Sequence, residues 1–122
     1  MFVPKFSLKI SIDIDATMFG EDMATLKAWF FKALSDKNRI IILEALTKNG
    51  WMSVGDISKM TQIEQSTVSH HLGFLRNSGL VKTRKKGKQN FYALNGETAE
   101  KLLFLSENHV RSMAEKVISE QA

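Results

Sequence analysis

The stretch of residues 65–94 constrains the fold of this chain more than any other part of the sequence. It reads QSTVSHHLGFLRNSGLVKTRKKGKQNFYAL. Its first half carries apolar residues at helical spacing, and Ser78-Gly79 supplies residues of the kind that end a helix. Its second half has two short runs on either side of Lys86-Gly87-Lys88, which is typical of a hairpin. The pattern predicts a helix over 66–77, strands over 80–85 and 89–94, and a tight turn between the strands.

The charge of this region is as distinctive as its pattern. Residues 65–96 contain no Asp or Glu and carry +6, whereas the rest of the chain carries −2, for a net charge of +4. We call residues 65–96 the acid-free segment. Because local positive charge governs encounter with phosphate backbones, a polyanion is the expected partner. The six cations are Arg76, Lys82, Arg84, Lys85, Lys86 and Lys88.

The predicted helix over 66–77 has two unlike sides. Val68, Leu72 and Leu75 cluster on one side at about 100° per residue, and we expect them to face the core. Ser66, Ser69, His70 and Gly73 cluster opposite, and we call these four residues the reading face. A solvated helix face normally carries Lys and Glu, so a small uncharged one suits close approach to the DNA major groove, which is about 12 Å wide.

Double-stranded DNA is therefore the expected partner, with the reading face on base edges and the cations on phosphates. We expect His71 to lie nearer the edge of the core, as a packed or phosphate-facing residue. The predicted DNA-binding residues are Gln65, Ser66, Thr67, Ser69, His70, His71, Gly73, Arg76, Lys82, Arg84, Lys85, Lys86 and Lys88.

The remaining segments predict a mainly α fold with a small β-hairpin (α+β). Residues 6–14 alternate apolar and polar side chains and predict a strand with one buried face. Helices are expected over 21–34, from a cap at Ser35 or Asp36 to about 48, and over 54–60 after a cap at Ser53. The expected architecture is a winged helix-turn-helix with about five helices, a wing and an extra N-terminal strand. We expect one domain over 1–122, made of a strand extension (1–18), dimerisation helices (21–34 and 97–120), a helix-turn-helix (54–78) and a wing (80–94).

Composition excludes several functional classes. The chain has no cysteine, which excludes disulfides and thiolate metal sites. It has no apolar run of about 18 residues and no visible secretory signal, so we expect no membrane partner and a cytoplasmic location. It also has no Ser/His/Asp or Cys/His arrangement, no phosphate-binding glycine loop and no converging carboxylates, so we expect neither an enzyme nor a cofactor.

The chain resembles the ArsR/SmtB family of winged-helix repressors over about residues 26–94. The segment STVSHHLGFLRNSGLVKTRKKGKQNFYAL is similar to the family pattern VSxHLxxLxxAGLVxxxRxGxxxxYxL, and FKALSDKNRIIILEAL resembles the family's first-to-second-helix signature. Ser78 replaces the pattern's Ala, and Lys85 replaces an Arg, which keeps the charge but loses the bidentate fork. The N-terminal strand is not typical of the family. The resemblance implies a homodimer, one recognition helix per half-site of an inverted repeat, and repression by blocking a promoter.

The terminal helices themselves also predict a dimer. Apolar residues run along one face of the last helix, which has little else to pack on. The expected interface residues are Leu26, Trp29, Phe30, Leu103, Val110, Met113 and Val117. The N-terminal strand would either reinforce this dimer or line an inducer pocket with Trp29 and Phe30, and the residues identify no inducer.

Two further hypotheses stay open. Family sensors place metal ligands near the third helix or on the last one; Glu107, His109 and Glu120 partly match the second arrangement, which would make the protein a zinc-type responsive repressor. The alternative is that these three are solvated helix residues. A protein-interaction adaptor that docks a partner through the helix-turn-helix and the N-terminal strand is the second hypothesis.

Overall fold

A computed structural model describes residues 20–121 of the chain. The predicted N-terminal strand (6–14) and the whole predicted 1–18 extension therefore lie outside the described residues, and the structure does not test them. The elements in order are α1 (Gly20–Leu34), α2 (Lys37–Asn49), β1 (Met52–Ser53), α3 (Val54–Thr61), α4 (Gln65–Asn77), β2 (Val81–Lys86), β3 (Gln89–Leu94) and α5 (Thr98–Gln121). Over these residues the fold is mainly helical with one small antiparallel sheet, as predicted.

The helix boundaries follow from local capping chemistry. The carboxylate of Asp36 accepts a hydrogen bond from the backbone N–H of Arg39 at 3.1 Å, which identifies Asp36 rather than Ser35 as the cap of α2. Gly50 ends that helix with φ of 68°, a left-handed value that suits glycine. Ser53 caps α3 by accepting from the N–H of Asp56 at 3.1 Å, as predicted.

The sheet differs slightly from the prediction. Its strand order is β1-β3-β2, and the pairing of β2 with β3 runs from Val81 opposite Leu94 to Lys86 opposite Gln89. Because Lys86 is paired, the turn consists of Gly87 and Lys88 alone, not the predicted three residues. Strand β1 was not predicted, since a strand over Met52–Ser53 is too short to show alternation.

The core lies between α2, α3, α4 and the sheet. Ile42, Leu43, Ile57 and the predicted inward residues Val68, Leu72 and Leu75 are fully buried. Helix α5 joins this core only through its first turns, where Ala99 is buried and Leu103 packs against the cluster. All residues from 104 to 121 are exposed. None of the helices in the described range is long and apolar enough to cross a membrane.

Candidate nucleic-acid interface

The reading face is exposed on α4. Ser66, Ser69, His70 and Gly73 are all exposed, as predicted. A Cβ placed on Gly73 would meet no atom within 4 Å, so the space above this part of the helix is open. Glu64, just before the helix, accepts a hydrogen bond from the Ser66 hydroxyl. The face thus keeps a small, uncharged surface over two turns, which lets another surface approach the helix backbone closely.

The other predicted contacts on α4 divide by exposure. Gln65 and Arg76, at the two ends of the helix, are exposed, whereas Thr67 is half-buried. Arg76 lies in the last turn, so its cation stands beside the wing rather than beside the start of the helix.

The structure places His71, one of the predicted DNA contacts, against the core and not on the open surface of α4. Its side chain is turned inward, and the residue is only 8% exposed. Its Nδ1 accepts a hydrogen bond from Nε of Arg39 at 3.1 Å, so the ring proton sits on Nε2, which lies 3.8 Å from the Asp36 carboxylate. Burial lowers the pKa of His71, and the nearby Arg39 and His70 lower it further while Asp36 opposes them. His71 is therefore a neutral packing residue, the first of the two roles expected at the core edge.

Arg39 connects three helices behind the reading face. Besides its bond to His71 on α4, its Nη1 donates to the backbone carbonyl of Ala33 near the end of α1 at 3.1 Å. Its guanidinium carbon lies 3.8 Å from the ring centroid of Phe74, and Trp29 stacks on that ring at 6.3 Å. Sequence reasoning missed this role, because Arg39 and His71 are 32 residues apart and no local pattern reports their contact.

The wing also exposes its predicted DNA contacts. Lys82, Arg84, Lys85, Lys86 and Lys88 are all exposed. The N–H of Leu80 donates to the carbonyl of Leu75 at 3.0 Å, and the Asn95 side chain donates to the carbonyl of Gly79 at 3.1 Å. The first bond ties the start of the hairpin to α4, and the second ties its end to the loop that follows α4, so the reading face and the wing cations belong to one packed unit.

Trp51 is a wing neighbour that the sequence did not reveal. It lies just before β1, yet the Arg84 guanidinium carbon is 4.2 Å from its ring centroid and Nζ of Lys82 is 5.5 Å away. A tryptophan 33 residues before Arg84 gives no signal in any local window.

The candidate metal ligands on α5 do not converge within one chain. Glu107 forms an i,i+4 ion pair with Arg111 at 3.1 Å. His109 is two positions from Glu107, which places the two on different faces of the helix, and Glu120 lies roughly 20 Å farther along. Across residues 20–121, no group of three or more His, Cys, Asp or Glu side chains is arranged to hold a metal ion.

The predicted dimer residues occupy two kinds of surface. Phe30 and Leu103 are partly buried against the core of their own chain, and Leu26 and Trp29 are half-buried. Val110, Met113 and Val117 are exposed, and the same helix also exposes Phe104, Leu105 and Ile118, which the prediction did not include. These six side chains are 53–69% exposed. Such an apolar surface on a protruding helix is unfavourable in water without a partner.

The alternative of an inducer pocket formed by Trp29 and Phe30 stays a prediction, because only Trp29 lines a cleft in the described residues. Trp29 lines an open cleft of about 430 Å³ together with Lys32, Ser35, Asp36, Arg39 and Phe74. Phe30 points instead toward the core cluster. The predicted third component, the N-terminal strand, lies outside the described residues.

Comparison with known proteins identifies similar proteins among transcription regulators. A family model described as bacterial regulatory protein, arsR family, matches residues 36–83. An HTH-type transcriptional regulator of Methanocaldococcus jannaschii is 40% identical over 64% of this chain and 88% of that protein. A cadmium resistance regulatory protein CadC homolog of Staphylococcus aureus is 38% identical over 69% of each chain. The transcriptional activator HlyU of Vibrio cholerae is 38% identical over 61% of this chain and 68% of its own length.

Solved structures agree with the sequence relatives. The crystal structure of M. tuberculosis Rv0081 superposes with a TM-score of 0.72 at 33% identity and covers 80% of this chain and 99% of that chain. The homodimeric winged helix-turn-helix DNA-binding domain of Mb0332 from Mycobacterium bovis gives 0.70 at 27% identity, over 80% and 94% of the two chains.

Proposed function

Because the chain belongs to the ArsR family of bacterial regulatory proteins, we propose that it is a homodimeric repressor of transcription that binds an inverted-repeat operator. Membership of this family makes it a DNA-binding transcription regulator with a winged helix-turn-helix, and not an enzyme. The proposal adds the oligomeric state, the form of the operator and the direction of regulation.

The acid-free segment is the observation that carries the proposal. It folds into α4 and the wing, and the neutral reading face and the exposed cations lie on one continuous unit. In a complex, Ser66, Ser69 and His70 would meet base edges in the major groove, with Gly73 allowing close approach. Arg76 and the wing cations would neutralise phosphates and supply most of the affinity, which makes binding strongly salt-dependent.

The protruding part of α5 supports the dimer. Residues 104–121 extend roughly 25 Å past the core, and their apolar side chains find no cover in the described part of the chain. A two-fold copy of the same helix would cover Val110, Met113 and Val117, which share one face at about 100° per residue, because an isologous interface pairs identical patches. The neighbouring structure from Mycobacterium bovis is homodimeric. Such a dimer places two copies of α4 about one DNA turn apart, roughly 34–36 Å, and thus requires a symmetric site.

The direction of regulation and any metal response are separate parts of the proposal. A rigid dimer bound across a promoter excludes polymerase, which favours repression, yet one relative is named an activator and another a cadmium resistance regulator. The chain has no cysteine to act as a soft-metal ligand. A metal-responsive form would therefore depend on Glu107, His109 and Glu120 meeting ligands from the second protomer.

Selection of bound DNA from random pools, with and without Zn²⁺, tests these points together. We expect an enriched inverted repeat that is the same under both conditions. Failure to enrich any sequence at low salt would favour the protein-interaction adaptor, and loss of binding with Zn²⁺ would favour the metal-responsive form. Transcription in vitro from a promoter carrying the enriched site should fall when the protein is added, and a rise would identify an activator.

A further inference from the structure

We propose that Trp51 is a positioning residue of the interface, which holds the Arg84 guanidinium ready for a DNA phosphate. This inference rests on the DNA-binding function proposed above and names a residue outside both the recognition helix and the wing. The argument depends on the register of the sheet, the contacts of the ring and the free donors of Arg84.

The register places Trp51 and Arg84 on the same face of the sheet. Arg84 pairs with Phe91, and Lys82 pairs with Ala93, so these four side chains share one face. Ser53 also pairs with Phe91, which puts Trp51, two residues earlier, beside Ala93 on that face. The opposite face carries the buried Val81 and Met52, so the Trp51 face is the one turned away from the core.

The contacts show that the ring is covered by cations and not by apolar side chains alone. The Arg84 guanidinium carbon lies 4.2 Å from the ring centroid and the Lys82 ammonium 5.5 Å, both within the roughly 6 Å of a favourable cation–π contact. Ala93 beneath them is only 7% exposed although it lies on the outer face. Trp51 itself is half-buried, so neighbouring residues restrain the ring on which Arg84 stacks.

Stacking leaves Arg84 able to bind an anion. Within residues 20–121, its guanidinium makes no ion pair and no hydrogen bond to another residue. A guanidinium that stacks through its flat face keeps the N–H groups along its edge, and these form the fork that matches two phosphate oxygens. An exposed arginine normally loses rotamer freedom when it binds an anion, which is an entropic cost. The contact with Trp51 restricts Arg84 before binding, which lowers that cost in the complex.

Of the other wing cations, Lys82 shares this support through its more distant contact with Trp51, whereas Lys85, Lys86 and Lys88 lack it. Lys85 is paired with Asn90 and points to the opposite face from Arg84. Lys86 precedes the turn and Lys88 lies in it, and both are beyond the reach of β1. Arg84 is also the only arginine of the wing. The proposal therefore predicts that Trp51 matters for DNA binding through Arg84 and not through the wing charge as a whole.

A double-mutant cycle on the full chain tests this coupling, with an operator duplex as the probe. Trp51→Leu keeps apolar bulk but removes the ring, and we expect it to weaken binding about 2- to 5-fold, the worth of one exposed cation–π contact. Arg84→Gln should weaken binding and reduce the magnitude of the salt slope by about 1. In the Arg84→Gln background, Trp51→Leu should have little further effect, because only the more distant contact with Lys82 is then left to lose. In the matched Lys85→Gln background, it should keep its full effect.

The conservative variants guard against a trivial loss of folding. Trp51→Phe retains a smaller ring and should recover most of the lost affinity. Arg84→Lys keeps the charge without the fork, so it should bind more weakly than wild type with an unchanged salt slope, even if Trp51→Leu does not fold.

Two results would overturn the positioning role of Trp51, and a third would overturn the proposed function. An equal loss from Trp51→Leu with Arg84 present or replaced would overturn the positioning role and leave Trp51 as a packing residue. Wild-type affinity for Arg84→Lys would overturn it as well. If the wild-type protein bound no DNA at about 50 mM salt, the proposed function itself would fail, and this inference with it.

Discussion

Replacement of Arg39 by methionine is expected to destabilise the protein strongly although the residue is only half-buried. The substitution keeps a long apolar stem but removes the guanidinium. Three contacts disappear at once: the bond to the Ala33 carbonyl, the bond to Nδ1 of His71, and the stacking on Phe74. The buried His71 ring then loses the partner of its acceptor nitrogen.

The size of the effect follows from these contacts. Each hydrogen bond from the charged group contributes about 1–1.5 kcal/mol at this partial burial, and the stacked cation about 1 kcal/mol more. We therefore expect the free energy of unfolding to fall by about 3 kcal/mol. In a chain of this size that loss lowers Tm by roughly 9–15 °C.

Urea denaturation at fixed protein concentration measures this change, since oligomerisation makes apparent stability depend on concentration. Arg76→Met is the matched control, because Arg76 is exposed on α4 and its side chain makes no hydrogen bond or ion pair within the described residues. It should change stability by no more than about 0.5 kcal/mol. A second cycle with Phe74→Leu should show coupling to Arg39 of about 0.5–1 kcal/mol.

The reasoning is refuted if Arg39→Met costs less than about 1 kcal/mol, or no more than the Arg76 control. Either result would mean that Arg39 does not link α1, α2 and α4 in solution. If the losses in free energy of unfolding from Arg39→Met and Phe74→Leu simply added, only the stacking contribution would be rejected.

Three further predictions concern pH, assembly and DNA contact. Burial lowers the pKa of His71 below its ordinary 6.5, so on acidification the unfolded chain binds a proton at this histidine before the folded chain does. The free energy of unfolding should therefore be full above pH 6.5 and decline as pH falls below it. Urea melts should show a weaker decline in His71→Gln, and an equal decline would assign the pH dependence to other groups. Val110→Asp should convert the dimer to monomer in sedimentation, while Lys116→Asp on another face of α5 should not; a dimeric Val110→Asp would remove α5 from the interface. Neutralising residues 84–86 should weaken binding to all DNA and reduce the salt slope by about 3, whereas His70→Ala should mainly erode sequence preference; an unchanged slope would exclude the wing from the interface.

Local features of the sequence were sufficient for most of the fold. Apolar spacing located each helix of the described range to within a residue, and Asp36, Ser53 and Gly50 acted as caps because capping depends on neighbours three or four positions away. The same spacing separated the reading face from the core side of α4. The positive charge of the wing region could be predicted directly, since the charge of a segment is the sum of the charges of its residues.

Contacts between segments that are distant in the chain could not be predicted from the sequence. His71 appeared as a contact residue because helical projection places it at the edge between two faces, and only the packing of α2 against α4 turns it inward to Arg39. Strand β1 has too few residues for a periodic signal and exists because β3 offers a free edge.

The sequence by itself determined where the helices and hairpin lie, which side of α4 is polar, and where positive charge collects. All of these depend on residues close together in the chain. The tertiary structure alone decided that Arg39 joins three helices, that Trp51 lies beneath Arg84, and that His71 is withdrawn from the surface. Those contacts join residues about 30 positions apart, and they form only when packing of the core brings separate elements to within a few ångströms of one another.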